Sequence, residues 1–402
     1  MEQSVQIIKE RIEEVTAALA PELKKLALDI HANPELGGQE HRACGWQAAL
    51  LEKYGFSVSK NFCGIETAYQ AVYKGRKPGL KIAMLAEYDA LPGLGHGCGH
   101  NLIAMISTGS GIVMREFADI YGGEIHVIGT PAEETDGSKI EMCAKGVFKD
   151  YDAVMMAHPF EANGSSVNTM AMVTRRYEFF GKTAHAANAP EEGVNALDAM
   201  INFFNLVNAM RQQTRPDARI HGIIRDGGKA PNIIPDYTDA LFYIRAGKMD
   251  YVQTLLEKVN ACAAGAAAGT GCTLRVSKEE ADFKDTDSNM ALNELACSQI
   301  EAFGMDIPRL GREMEPGSSD LGDVSYACPA IQLKCGMGRE EGEAHYVPHT
   351  QEFAAHACTP RALENALTFV KGFALTAFRL MSEPEHMEAI RAEFAERRAS
   401  KN

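Results

Sequence analysis

The stretch LKIAMLAEYDALPGLGHGCGHNLIA, residues 80–104, indicates the architecture around which the rest of the chain is organised. It opens with an apolar run, residues 81–86, typical of a strand that is buried on both faces of a sheet. A loop rich in glycine and proline follows, and a helix-like stretch begins at Leu102. The metal-competent side chains between strand and helix are Glu87, Asp89, His96, Cys98 and His100. Because ligands bind at the carboxyl ends of strands in open α/β sheets, we expect a metal site here.

Composition bounds the class of protein. The chain has 402 residues, which is enough for two domains, and apolar and charged fractions of 46% and 23% are ordinary globular values. Its net charge of −14 disfavours a nucleic-acid binder, which usually presents a basic face. We find no apolar signal-peptide core, and no segment approaches the roughly 20 apolar residues that span a bilayer. The ten cysteines form no C-x-x-C pair, as is typical of reduced thiols, so we expect a cytoplasmic protein without nucleic-acid or membrane partners.

Strand and helix signals alternate in the first part of the chain. Residues 1–60 look helical, apart from a loop that proline and glycine open at residues 31–38. Short strand candidates then follow at residues 69–74, 80–86, 124–129 and 152–157. Near the C-terminus, residues 330–334 resemble a core strand and residues 361–381 a long helix. This alternation predicts a largely parallel sheet covered by helices, in an α/β fold.

The pattern changes between residues 172 and 282. Its order is strand 172–181, helix 194–211, strands 218–225 and 237–246, helix 251–268 and strand 272–278. The order β-α-β-β-α-β is that of the ferredoxin-like unit. We therefore predict a catalytic domain made of residues 1–171 and 283–402, interrupted by a smaller α+β domain at residues 172–282.

Metal-competent residues follow the predicted core strands. They are Cys98 and His100, then Glu133 and Glu134, then His158, and finally His345 and His349. At matching ends of neighbouring strands they would converge, as two divalent ions with a bridging ligand and an open position for water require.

The adjacent carboxylates Glu133 and Glu134 are expected to have different roles. Successive side chains of extended backbone point opposite ways, so one can bind metal while the other serves as a general base. Asp89 would accept a hydrogen bond from a ligand imidazole and fix its tautomer.

Other chemistries fit less well. The glycines at 95–99 lack the spacing of a dinucleotide loop, residues 285–296 lack the glycine and glutamate of an EF-hand, and no G-x-S-x-G elbow occurs. A thiol amidase using Cys98 remains an alternative. Against it, side chains two residues apart, such as Cys98 and His100, rarely face each other productively, and two carboxylates on other strands would be unexplained.

Six motifs in order, AEYDALPGLGHGCGHNLIA, GTPAEE, MAHP, GKTAHAANAPEEGVNALDA, APNIIPD and HTQEF, resemble the dinuclear metallopeptidase family of aminoacylases, carboxypeptidase G and indole-acetyl-amino-acid amidohydrolases, which is family twenty of clan MH. The resemblance covers nearly the whole chain. Within the family, the chain resembles the branch of Xaa-Arg (β-alanyl-lysine) dipeptidases and aminobenzoyl-glutamate hydrolases, and Asn101 stands where the amidohydrolase branch often has Asp.

The resemblance implies a role for each site residue. The implied metal ligands are Cys98, His100, Glu134, His158 and His349, with His345 as an alternative to His349. Glu133 would be the general base and Asp89 the carboxylate behind a ligand. His185 in the smaller domain would stabilise the oxyanion in the partner's site of a homodimer, as a fixed hydrogen-bond donor does. Asn232 and Arg245 would hold the substrate carboxylate, and Ser318 would line the leaving-group pocket.

The resemblance also implies an activity. We expect a hydrolase that cleaves the amide bond of small dipeptides or N-acyl amino acids with a free carboxylate. It would use two divalent ions, with zinc as the expected metal and manganese or cobalt as alternatives. The rival from another class is a catalytically silent relative that serves as a binding or scaffold protein; the complete set of ligand residues disfavours it.

Overall fold

The structure, a computed structural model, describes residues 2–311, 314–315, 317–339 and 342–399. Within that part of the chain the residues form two compact units. Unit 1 lies within Met1–Asn168, Thr286–Glu313 and Asp320–Asn402. Unit 2 lies within Thr169–Asp285 and Met314–Ser319.

Helices and strands alternate along most of the chain. The helices are α1 (Glu2–Ala32), α2 (His41–Lys53), α3 (His100–Tyr121), α4 (Ser138–Ala144), α5 (Ala196–Met210), α6 (Met249–Thr270), α7 (Met290–Glu301), α8 (Leu321–Ala327), α9 (Gln351–His356), α10 (Pro360–Ser382) and α11 (Pro384–Ala399). The strands are β1 (Ser57–Lys60), β2 (Tyr69–Lys74), β3 (Lys81–Ala86), β4 (Glu124–Gly129), β5 (Ala153–Phe160), β6 (Asn168–Thr169), β7 (Ala171–Phe180), β8 (Arg219–Asp226), β9 (Tyr237–Ala246), β10 (Thr273–Ser277), β11 (Met314–Glu315) and β12 (Ala330–Gly336).

Unit 1 is built on a six-stranded sheet in the order β1-β2-β4-β3-β5-β12. The four strands β4, β3, β5 and β12 are parallel, whereas β2 runs antiparallel to β4 and β1 antiparallel to β2. Every residue of β3 after Lys81 is buried, which explains its continuous apolar run. The sheet is therefore parallel at its centre, with an antiparallel edge.

Helix α3 lies at the centre of unit 1 and packs against both α1 and α10. Small residues allow the close approach: a Cβ atom added at Gly109 would lie 2.6 Å from Leu23 Cδ1, and one at Gly111 would collide with Val127. Because α3 begins at His100, its packing in the core holds that imidazole at the end of β3.

Unit 2 is an antiparallel sheet in the order β10-β7-β9-β8, against which α5 and α6 pack. Its separate core includes Tyr177, Phe203, Phe242 and Val259. The order β7-α5-β8-β9-α6-β10 is the predicted β-α-β-β-α-β order, because period-two and period-3.6 apolar patterns alternate clearly in this region.

The structure corrects one expectation about unit 1 and adds one observation. Residues 57–60, expected to be helical, form the edge strand β1, whose mostly exposed side chains carry little apolar pattern. Among the described residues, no helix is both long and apolar enough to cross a bilayer.

Candidate metal centre

The loop between β3 and α3 brings Cys98 and His100 to one place. Gly99 has φ = 74°, a left-handed conformation that favours glycine, and a Cβ there would lie 2.8 Å from Pro159 Cβ. Ligand atoms of Cys98, His100 and His158 lie within 4.8 Å of one another, and all three residues are buried. The expectation that Cys98 and His100 do not face each other was wrong, since Gly99 turns the chain between them.

Asp89 orients His100. The Nδ1–H of His100 donates to Asp89 Oδ1 at 3.0 Å, and the backbone N–H of Glu134 donates to Asp89 Oδ2 at 3.0 Å. Burial alone would raise the pKa of Asp89, but the interaction with His100 and these hydrogen bonds lower it below its ordinary value. The imidazole therefore keeps its proton on Nδ1 and presents the Nε2 lone pair to the centre.

His158 is oriented in a similar way. Its Nδ1–H donates to the backbone carbonyl of Pro159 at 2.9 Å, which leaves Nε2 as an acceptor 3.5 Å from Cys98 Sγ. Burial lowers the pKa of His158, so a protonated imidazole that could stabilise a thiolate is disfavoured. Burial, with Glu134 nearby, raises the pKa of the Cys98 thiol well above its ordinary value. Without a bound cation, Cys98 is thus a poor nucleophile, which disfavours the thiol amidase.

Glu133 and Glu134 follow β4 in a turn, not in the extended backbone that was expected. Ala132, just before them, has φ = 59°, and this left-handed residue reverses the chain. Glu134 Oε1 lies 3.2 Å from His349 Nε2 and 3.9 Å from His100 Nε2. The two carboxylates are therefore separated by a turn and not by strand alternation.

Glu133 lies at the meeting point of two groups of potential ligand atoms. One group is His100, Glu133 and Glu134, and the other is Glu87, Glu133 and Asp320; within each, the atoms lie within 4.8 Å of one another. Burial, followed by the neighbouring Glu87 and Glu134 carboxylates, raises the pKa of Glu133 well above its ordinary value. A carboxyl group with a raised pKa accepts and returns a proton readily, as a general base must.

The two C-terminal histidines have different surroundings. His349 groups with Cys98 and Glu134, and its backbone N–H donates to Gly97 O at 2.9 Å. His345 is 77% exposed, and its Nδ1–H donates to Glu161 at 2.9 Å. Only His349 of this pair belongs to a group of ligand atoms found among the described residues.

A buried lysine was missed by the sequence reasoning. Lys139 Nζ donates to Glu87 Oε1 at 2.7 Å and to Asp320 Oδ1 at 2.5 Å, and all three side chains are inaccessible to solvent. No pattern in the sequence indicates this: Lys139 stands in the first turn of a short helix, where a lysine is ordinarily solvated.

The remaining predicted residues lie in unit 2. The backbone N–H groups of Ala187 and Asn188 donate to His185 Nδ1 at 3.3 and 3.1 Å, so the ring proton of the neutral imidazole lies on Nε2. Next to it, the N–H of Ala186 donates to the backbone carbonyl of Asn232 at 3.0 Å. The loops that carry His185 and Asn232 are therefore joined.

Arg245 lies on β9 of unit 2. Its Nη1 donates to Ser318 Oγ at 3.2 Å, while its buried Nε has no hydrogen-bond partner among the described residues. Burial lowers the pKa of this guanidinium, yet it stays protonated at any physiological pH. An unpaired buried N–H on a cation suits an anionic ligand.

The residues present fit a metal centre. Among the described residues, His100 Nε2 and Glu134 Oε1 are buried and lack a hydrogen-bond partner, which costs free energy unless something else binds them. Cys98 is common to two of the ligand groups, one with His100 and His158 and one with Glu134 and His349. Thiolate, imidazole and carboxylate are the ligands typical of zinc and its neighbours.

An α/β fold that brings thiol, imidazole and carboxylate groups together beside a candidate base defines the class as a metallohydrolase. Residues 169–270 match the peptidase dimerisation domain family. Xaa-Arg dipeptidase of Mus musculus is 34% identical over 405 residues, which cover 97% of this chain and 93% of that protein. One of the p-aminobenzoyl-glutamate hydrolase polypeptides of Escherichia coli K12 is 34% identical over 64% of this chain and 57% of its own length.

The fold also matches solved structures. A dinuclear metal-binding M20 peptidase of Bacillus subtilis superposes with a TM-score of 0.66 at 20% identity, covering 91% of this chain and 99% of its own. The chain belongs to the M20 family of peptidases. The predicted family, the α/β fold and the hydrolase class are confirmed.

Proposed function

We propose that the protein hydrolyses the amide bond of dipeptides or N-acyl amino acids that carry a free carboxylate. The observation that carries the proposal is the convergence of two ligand groups sharing Cys98, with Glu133 beside them. The names of the mouse dipeptidase and the E. coli hydrolase support this substrate class.

Five residues would hold two divalent ions: Cys98, His100, Glu134, His158 and His349. Zinc is the expected metal because thiolate and imidazole dominate the set, and manganese or cobalt are the alternatives. When bound, such ions lower the pKa of water and polarise the substrate carbonyl. Asp89 would keep the His100 tautomer that presents Nε2.

Glu133 would move the proton. Its raised pKa suits a group that takes a proton from the attacking water and then delivers it to the leaving amine. Because the Glu133 turn lies in the same site as Glu134, the base stands next to the ligands and needs no large motion.

Residues of unit 2 would bind the substrate and stabilise the oxyanion. His185 would donate from Nε2–H, the proton position that its Nδ1 acceptor role favours. Asn232 and Arg245 would bind the free carboxylate, and Ser318, which accepts from Arg245, would line the leaving-group pocket.

We further propose that residues 172–282 form a lid and dimerisation domain between the two parts of the catalytic domain, residues 1–171 and 283–402. The dimerisation-domain match at residues 169–270 supports oligomerisation. In a homodimer, His185 would serve the partner's site. We expect the enzyme in the cytoplasm, acting on small molecules.

The test combines metal analysis with activity. Purified protein would be analysed by mass spectrometry for metal and assayed on Xaa-Arg dipeptides, p-aminobenzoyl-glutamate and N-acyl amino acids, with and without chelator. We expect about two ions per chain, activity lost to chelator, and recovery with zinc, manganese or cobalt. Metal-free protein that still cleaves the panel would favour the thiol amidase, and metal-free inactive protein the silent scaffold.

A further inference from the structure

Lys139 is a fully buried cation beside the candidate active centre. Its ammonium group contacts Glu87 Oε1 at 2.7 Å and Asp320 Oδ1 at 2.5 Å, and its backbone N–H donates to Asp320 Oδ2 at 3.2 Å. Burying an ammonium costs several kcal/mol unless it is paired and hydrogen-bonded. The protein therefore places this charge between two specific carboxylates.

These carboxylates have the arrangement of a cation site. Oxygen atoms of Glu87, Glu133 and Asp320 lie within 4.8 Å of one another, close enough to hold a divalent ion. Three carboxylates at such distances repel one another unless a cation lies among them or a proton is taken up. In this protein the Lys139 ammonium, bonded to two of the three, provides the cation.

Lys139 also fixes the orientation of Glu87. With Oε1 bonded to the ammonium, Glu87 Oε2 lies 3.5 Å from His100 Nε2 and has no hydrogen-bond partner among the described residues. Asp320 has both oxygens engaged by Lys139. One side chain thus sets the rotamers of two acids next to the base and a candidate ligand.

Burial alone would lower the pKa of Lys139, but the Asp320 and Glu87 carboxylates raise it above its ordinary value. The side chain thus stays an ammonium throughout the physiological range.

We propose that Lys139 is a positioning residue of the active centre: it occupies the acidic trio Glu87, Glu133 and Asp320 as a built-in cation, excludes a further divalent ion, and leaves Glu133 unligated. The inference rests on the proposed function of Glu133 as the base. Without the ammonium, a metal ion would bind the trio and hold the Glu133 carboxylate, which could then no longer carry a proton.

The experiment compares the metal content of Lys139→Ala and Lys139→Gln with wild type after equilibrium dialysis against zinc or manganese. Lys139→Ala removes both charge and volume, whereas Lys139→Gln keeps an amide donor for Glu87 or Asp320 and so protects folding. We expect each variant to bind about one more ion per chain than wild type and to lose about 10²-fold in kcat, with KM changed less than about threefold.

Two controls sharpen the comparison. Lys139→Ala/Asp320→Asn removes one acid of the trio and should return the metal count to the wild-type value. Lys145→Gln changes an exposed lysine of the same helix, whose partner is Glu141, and should alter neither count nor kcat. A merely structural lysine would change stability but not the number of ions bound.

The wild-type count and the difference between variant and wild type answer separate questions. A metal-free, inactive wild type would overturn the proposed function. Variant counts equal to wild type, for Lys139→Gln as well as Lys139→Ala, would overturn the role of Lys139, whatever the activity. An increase of about one ion, reversed in the double variant, would support it.

Discussion

At the scale of single residues, protonation in the candidate centre is set by pairwise contacts. Asp89 directs the Nδ1 proton of His100, and the Pro159 carbonyl directs that of His158, so both rings present Nε2. Burial raises the pKa of Glu133, whereas the hydrogen bond from His349 outweighs burial and lowers that of Glu134. Adjacent carboxylates with opposite pKa shifts suit two different roles.

Glu133→Gln is the residue-scale prediction. The amide keeps the volume but cannot accept a proton, so kcat should fall by about 10²- to 10⁴-fold while metal content stays at the wild-type value. Steady-state kinetics and metal analysis on the same preparation measure both quantities.

Glu141→Gln is the matched control, since Glu141 is exposed and pairs with Lys145. Its turnover should stay at the wild-type level. Near-normal turnover of Glu133→Gln would reject Glu133 as the base.

At the scale of elements, the site depends on two strained turns. Ala132 and His349 have φ values of 59° and 67°, conformations that cost a non-glycine residue about 1–3 kcal/mol. Each is held by a hydrogen bond from its backbone N–H: that of Ala132 donates to Glu40 Oε1 at 2.7 Å and that of His349 to Gly97 O. The surrounding elements stabilise backbone that the local sequence disfavours.

The loop after α1 packs beneath the Glu133 turn. A Cβ at Gly37 would lie 2.6 Å from Thr135 Oγ1 and 3.1 Å from Ala132 Cα, so only glycine fits. Beside it, buried Glu40 bridges Ala132 N and the Thr67 hydroxyl, which donates to Oε2 at 2.8 Å.

Glu40→Ala is the element-scale prediction. It would leave the Ala132 amide and the Thr67 hydroxyl buried without an acceptor, and should lower the free energy of unfolding by about 1–3 kcal/mol. The turn would also loosen, so kcat should fall. Urea denaturation and kinetics measure the two effects.

Glu40→Gln retains an amide oxygen for the Ala132 N–H and should recover most of the lost stability and turnover. Equal losses in the two variants would show that the hydrogen bond to Ala132 does not hold the turn.

At the scale of the whole molecule, the candidate ligands lie in unit 1, while His185 and Arg245 lie in unit 2. Each unit has its own core, so a substitution on the surface of unit 2 can leave the metal ligands intact. The proposed exchange of His185 between subunits therefore has a direct test.

His185→Ala should abolish turnover without changing metal content. A heterodimer of a His185→Ala chain and a Glu133→Gln chain, purified through two tags, should recover about half of wild-type activity, because one site then combines an intact base with the partner's histidine. Inactive heterodimers, with both parent dimers folded and metal-loaded, would contradict exchange between subunits.

The sequence determines the elements and the candidate residues. Buried strands such as β3 and the β-α-β-β-α-β order of unit 2 follow from local apolar periodicity, which can be read without the fold. The metal-competent residues are recognisable because few other roles combine Cys98, His100 and Glu134 in such motifs. Edge strand β1 was missed because its side chains have almost no buried face.

Only the tertiary structure decides which side chains become partners. Lys139 and Asp320 are 181 residues apart, and nothing in either segment indicates an ion pair. Likewise, the fold places His349 beside Glu134 and His345 beside Glu161, although both histidines lie in one short stretch. Periodicity is a local property of the chain, whereas a buried charge finds its partner through long-range packing, and so these contacts required the structure.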